Sequence, residues 1–204
     1  MKIAIVGSRL YDSIEYHLNE SFNYKRLHVK PDVDKLEYEK EFDIDVMTYG
    51  TMYPYRNRIL RILASHNIDL TLFGYTNHHF YDQSLERYHT GYYITGESKA
   101  KVLYGSKIVL NNMNFAEIES VNNRFFETNG SGAFQLSDYR PILKDLLPIN
   151  PELVSFKSTD EAVEKIKYYL QHPKERVVIA QKIYDHFIDN YTYDHLIQYI
   201  LNSI

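Results

Sequence analysis

The chain has 204 residues, no cysteine, 44% hydrophobic residues and a formal net charge of -4. That size suits one domain or two small ones, and the apolar content is enough for a core, which excludes global disorder. The absence of cysteine excludes disulfides and thiolate metal sites, and the acidic balance lacks the basic excess of a dedicated nucleic-acid binder. The opening MKIAIVGS has neither a signal-peptide nor an anchor pattern, and no stretch reaches the roughly 18 apolar residues of a membrane span. The expectation is a cytoplasmic protein with no membrane span.

In chain order, 2–6 reads as a buried parallel strand ending in the turn Gly7-Ser8, and 11–18 as a short helix. Residues 19–40 are polar and charged, a connector with a short helical piece. A second apolar strand, 44–48, stops at Tyr49-Gly50-Thr51. Pro54 opens a helix whose inner face carries Ile59, Leu60, Ile62 and Leu63 and which ends near His66-Asn67. Further strands are expected at 68–73, 92–94, 108–110, 134–136 and 153–156. Helices are expected at 98–104, 119–128, 158–171, 174–190 and 193–204. Thr159-Asp160 is the expected cap of the 158–171 helix, whose apolar stripe is Ala162, Val163, Ile166 and Leu170.

Short apolar strands alternating with helices predict an α/β fold, a Rossmann-like parallel sheet with helices on both faces. Ligands of such sheets bind beyond the carboxyl ends of the strands, where strand order switches. The loops there are Gly7-Ser8, Tyr49-Gly50-Thr51, Gly74-Tyr75-Thr76, Asn111-Asn112 and Ser137-Asp138. Gly50-Thr51 precedes a helix carrying Arg56 and Arg58 in its first turns, which suits a phosphate or an ordinary solvated βα turn. GxGxxG, GxxxxGK[ST] and HExxH are all absent, and the nine histidines, among them His66 and His78-His79, have no partners at metal-ligand spacing, so no metal site is expected.

The densest polar pattern is ESVNNRFFETNGSGAFQLSD at 119–138. Read as a helix over 119–128, it puts Glu119 and Glu127 on one face about two turns apart, with Arg124 on a neighbouring row. Carboxylates hold sugar or ribose hydroxyls and a guanidinium holds phosphate. A solvated salt bridge is the plainer reading.

Four pieces carry a resemblance: YGSKIVLNN at 104–112, NRFFETNGSGAFQLSDYRP at 123–141, DEAVEKIKYYLQHPKER at 160–176 and YTYDHL at 191–196. With FDIDVMTYGTMYPYRNRIL and IDLTLFG upstream, they resemble the C-terminal, donor-binding half of GT-B glycosyltransferases, especially the CgeB-like group and glycosyltransferase family 1. The Arg-x-x-Glu-Thr pattern is also similar to phage DNA glucosyltransferases. The resemblance implies a single GT-B half-domain over 31–204, preceded at 1–30 by a short βα segment, the remnant of an N-terminal domain. It implies binding of a nucleotide-sugar, UDP-linked, and transfer of its sugar to an acceptor. By it, Glu127 holds the ribose, Arg124 meets the diphosphate with Asn123 beside it, and Glu119 takes the first place of an E-x7-E motif, where retaining members touch the donor sugar. Tyr49, Gly50, Thr51 and Arg56 match the phosphate-facing loop and helix, Ile94 the backbone contact to the base, and Asp138 the end of the matching run. Arg124 and Glu119 are the implied catalytic residues. No cofactor is required, although a divalent cation is compatible.

The departure is the shortness of the N-terminal part, because the family's acceptor domain is a full domain. Three explanations stay open: a shortened or degenerate member, a fragment, or a chain that works with a second copy of itself or a partner chain supplying the acceptor site. Two alternatives stay open: a non-catalytic nucleotide-binding or regulatory protein, and an interaction module built on the 20 tyrosines. The opening KIAIVGSRLYD resembles the first strand of a GT-B N-domain, and also the GSR opening of nucleotide-binding SLOG proteins, whose downstream glycines and acidic residues are missing here.

Overall fold

In a computed structural model of the chain, residues 34–74, 80, 82–114 and 117–202 are described. The expected strand at 2–6, the helix at 11–18, the 1–30 segment and His78-His79 lie outside them. The element order is α1 (Lys35–Phe42), β1 (Ile44–Tyr49), α2 (Pro54–Ser65), β2 (Leu70–Phe73), α3 (Gly96–Gly105), β3 (Ser106–Asn111), α4 (Asn123–Gly130) and β4 (Gln135–Asp138), followed by α5 (Leu143–Leu146), β5 (Ser155–Phe156), α6 (Thr159–Gln171), α7 (Pro173–Asn190) and α8 (Tyr193–Asn202). Short 3-10 segments occupy Gln83–Tyr88 and Pro151–Leu153.

The five strands form one sheet in the order β2-β1-β3-β4-β5, every neighbouring pair parallel. Each strand is short and largely buried because helices cover both faces. Register pairs Val46 with Ile108 and Met47 with Val109. The first pair packs in the larger core with Ile59, Leu60 and Leu63 of α2 and Ala162, Val163 and Ile166 of α6. The second packs in a smaller core with Leu103 of α3, Tyr49, Phe73 and Ala133. Burying each large apolar side chain contributes roughly 1.5–3 kcal/mol, before conformational entropy is set against it.

The local reasons are readable. Pro54 stands at the start of α2, where its missing N–H costs nothing. Ser158, rather than Thr159-Asp160, caps α6: its side chain accepts the Glu161 N–H, while Asp160 and Glu161 favour the positive end of the helix dipole. At the rear of the sheet Arg176 of α7 is fully buried, ion-paired with Glu39 and bonded to the Tyr169 carbonyl. Lys35 Nζ lies 3.2 Å from the other Glu39 oxygen. Two cations and one carboxylate are thus sealed between α1 and α7.

Three expectations need correction. The 119–128 helix begins instead at Asn123, because the Asn122 side chain accepts the Phe125 N–H at 3.1 Å and its extended backbone leaves Glu119 in the preceding loop. Residues 92–94 form no strand; their place beside β2 is held by a single bridge, Leu72 to His89, and by the Gly74 N–H to the Tyr92 carbonyl. The 153–156 strand shrinks to Ser155–Phe156, since Pro151 and the Asn150 cap turn the chain into 3-10 geometry first.

Candidate donor-binding site at the switch of strand order

The chain runs from β1 to β2 on one side of the sheet and then crosses to β3 on the other side of β1. The switch point therefore lies between the carboxyl ends of β1 and β3, at Tyr49-Gly50-Thr51 and Asn111-Asn112, where open parallel sheets bind ligands. A groove of about 590 Å³ lined by Asn67, Asp69, Arg87 and His89 lies at the amino end of β2. It is at the wrong end of the strand for this kind of site, and none of the expected site residues lines it.

Two guanidiniums meet at the switch point. Arg56, on the first turn of α2, donates from Nε to Asn112 Oδ1 at 2.7 Å. Its Nη1 donates to the Tyr49 carbonyl at 3.0 Å and the Thr51 carbonyl at 2.8 Å. Arg124, on the first turn of α4, reaches the same Tyr49 carbonyl at 2.9 Å and the Asn112 carbonyl at 3.3 Å. Gly50 sits between them with φ +92°, and a Cβ there would approach both guanidiniums at 3.7 and 3.9 Å. Gly74 supports the loop from behind: a Cβ at that position would stand 2.9 Å from the Gly50 carbonyl oxygen.

Among the described residues neither Arg56 nor Arg124 has a carboxylate within ion-pair distance; every acceptor they find is neutral. Burial lowers the Arg124 pKa from its usual value, yet an arginine stays charged in a protein. The crevice therefore holds two converging cations with no directly paired carboxylate, Glu127 acting on Arg124 only at longer range, an arrangement that an anion stabilises.

Glu127 lies one turn beyond Arg124 on α4. Tyr49 Oη donates to its Oε2 at 3.1 Å, and Lys99 Nζ of α3 sits 2.9 Å from its Oε1. Ile94 packs half-buried against the smaller core beside Tyr49. Tyr49, Gly50, Thr51, Arg56, Arg124, Glu127 and Ile94 are thus gathered around the end of β1. Asn123 is exposed at the start of α4. Glu119 is exposed in the loop before it and shares no helix face with Glu127. Asp138 is buried behind the crevice, where its oxygens accept the Met113 N–H at 2.6 Å and the Tyr55 hydroxyl at 3.1 Å. Burial raises its pKa. In that position it braces the loop after β3 against α2.

Sequence reasoning missed Lys99 and Asn112 as site groups. Lys99 had no local signal, because its partner lies 28 residues away. Asn112 was visible only as part of a loop at a strand end. No group of three or more potential metal ligands occurs among the described residues, and no helix there is long and apolar enough to cross a membrane.

Comparisons with known proteins bear on the fold and the family. The fold is similar to the catalytic domain of cholesterol-α-glucosyltransferase from Helicobacter pylori, with TM-score 0.55 and 15% identity over 72% of this chain and 98% of that one. It is similar to the C-terminal domain of a glycosyl transferase group 1 family protein from Francisella tularensis, with TM-score 0.56 and 14% identity over 79% and 95% of the two chains. T4 phage BGT, solved in complex with its UDP-glucose substrate, matches with TM-score 0.55 and 13% identity over 72% of this chain. The chain spans 44% of the length of that phage enzyme. The sheet and its helices are those of a GT-B glycosyltransferase Rossmann-like domain. No curated protein matches the sequence. The family described as glycosyl transferase-like matches residues 56–202, well over half of the sequence, and the chain belongs to that family.

Proposed function

We propose that the crevice binds a nucleotide-sugar, UDP-linked, and that the protein takes part in transferring its sugar to an acceptor. The observation that carries this reading is the pair of carboxylate-free guanidiniums at the switch point. A sugar transfer from a nucleoside diphosphate releases negative charge on the leaving oxygen, and fixed cations stabilise charge where it develops. Arg124, partly buried, meets the diphosphate. Arg56, only 3% exposed, holds the 49–51 loop in shape and adds its charge from behind. Glu127 accepts the ribose hydroxyls, Ile94 flanks the base, and Gly50-Thr51 lets the phosphates approach the backbone. The guanidiniums supply the neutralising charge, so the donor binds without a metal, and a divalent ion accompanying it is compatible. The likeness of the 104–112 and 123–141 motifs to the CgeB-like group supports placement in that subgroup. T4 phage BGT, a neighbour of this fold, takes UDP-glucose as its substrate.

A second reading is capture of the nucleotide without transfer. One observation favours it: Glu119, the second catalytic candidate, stays in an exposed loop away from the converging residues. Turnover separates the two. UDP released from UDP-glucose with no acceptor present supports the transferase, and a donor that binds but stays intact supports capture. Failure of UDP and UDP-glucose to bind at all would overturn both.

A further inference from the structure

The Glu127 carboxylate is held from two sides by groups that lie far from it in sequence. Lys99 Nζ is 2.9 Å from Oε1, and both side chains are about one-quarter exposed, 24% and 23%. Tyr49 Oη is 3.1 Å from Oε2 and 3.3 Å from Thr128 Oγ1. Burial first, and then the Glu127 charge, hold the Tyr49 phenol well above its ordinary pKa. The phenol therefore keeps its proton and donates a hydrogen bond to Glu127, which leaves the Thr128 hydroxyl to donate in turn to the phenol oxygen.

Among the described residues each Glu127 oxygen thus has one donor. A carboxylate offers about four lone-pair sites, so about two stay open, one on each oxygen. Two adjacent acceptors are what the two hydroxyls of a ribose require. The Lys99 charge does a second thing: it offsets a carboxylate that shares a crevice with the anionic diphosphate.

We infer that Lys99 and Tyr49 are positioning residues, which lock the Glu127 carboxylate in the orientation that receives a vicinal diol and so make the site selective for ribonucleotides. The inference rests on the donor-site reading above. A plain structural brace between α3 and α4 is the competing role, and partly exposed ion pairs of that kind contribute little.

The test measures Kd for UDP and for 2′-deoxy-UDP by calorimetry in the wild type, Lys99→Met, Lys99→Arg and Tyr49→Phe, with circular dichroism confirming that each is folded. The wild type is expected to prefer UDP by about tenfold or more, the worth of one hydrogen bond to a charged acceptor. In Lys99→Met and Tyr49→Phe the preference falls to about threefold or less, and Lys99→Met also weakens both nucleotides, because its charge no longer offsets Glu127 beside the diphosphate. Lys99→Arg, which keeps a charged donor, restores most of it. A preference that stays unchanged in Lys99→Met, with UDP and 2′-deoxy-UDP weakened by the same factor or not at all, overturns the positioning role and leaves the donor site standing. A wild type that binds neither nucleotide overturns the donor site and this inference with it.

Discussion

Replacing Arg124 with methionine separates phosphate recognition from loop architecture. The side chain is similar in length, so the packing of α4 is little disturbed, and the charge and the planar donor fork are lost. Within the protein the substitution removes hydrogen bonds of 2.9 and 3.3 Å to the Tyr49 and Asn112 carbonyls. The Tyr49 carbonyl keeps its Arg56 donor at 3.0 Å, and Arg56 still ties Asn112 through its side chain at 2.7 Å, so the loop keeps its shape. The loss should therefore fall on the ligand. Hydrogen bonds to charged groups are worth about 1.5–3 kcal/mol, which is roughly a 10- to 150-fold rise in the Kd for UDP. Uridine has no diphosphate and serves as the control, with its affinity unchanged. Arg124→Lys keeps the charge without the fork and should fall in between. Calorimetric titration of both ligands into the three proteins reads this directly. An equal loss for uridine and UDP would refute the reasoning, because Arg124 would then act only on the shape of the site.

Three further outcomes follow from the buried charges and the loop. Glu39→Ala leaves Lys35 and Arg176 buried without their anion, and urea denaturation should show a loss of about 3–5 kcal/mol. Burial lowers the Lys35 pKa to about 8 from 10.5, outweighing the pull of Glu39. Between those values the unfolded chain binds the proton and the folded chain does not, so this group makes stability rise with pH from about 8 to 10.5. The difference in denaturation midpoint between wild type and Lys35→Met, followed across that range, isolates the effect, and a difference that stays flat would exclude it. Gly74→Ala places a methyl group 2.9 Å from the Gly50 carbonyl at φ +128°; it should cost about 1–3 kcal/mol of stability and weaken UDP binding by moving the 49–51 loop.

Much of the frame was legible because single elements announce themselves. The apolar run before Tyr49-Gly50, Pro54 at a helix start and the Ala162-Val163-Ile166 stripe each report one strand or one helix, and the alternation of such elements reports a parallel sheet. The convergence of Arg56 with Arg124 was legible only as two separate motif positions. Their meeting at the Tyr49 carbonyl depends on strand order, which periodicity does not carry. Glu119 was misplaced because a charge spacing was taken as helical evidence, when the cap chemistry of Asn122 sets the start of α4. Lys99 with Glu127, and Glu39 with Arg176, are joined across 28 and 137 residues. Pairs so distant are fixed by tertiary packing and leave no local trace.

The central claim is that the switch-point crevice receives a nucleoside diphosphate. The most direct measurement is the melting temperature of the purified protein against rising concentrations of UDP, UDP-glucose, GDP, ADP, TDP and uridine. A ligand bound only by the folded state stabilises it by mass action, about 2.7 kcal/mol at a hundred times its Kd. The expected result is a melting point that climbs with UDP and UDP-glucose and not with uridine at the same concentrations. A melting point that none of the nucleotides moves would contradict the claim.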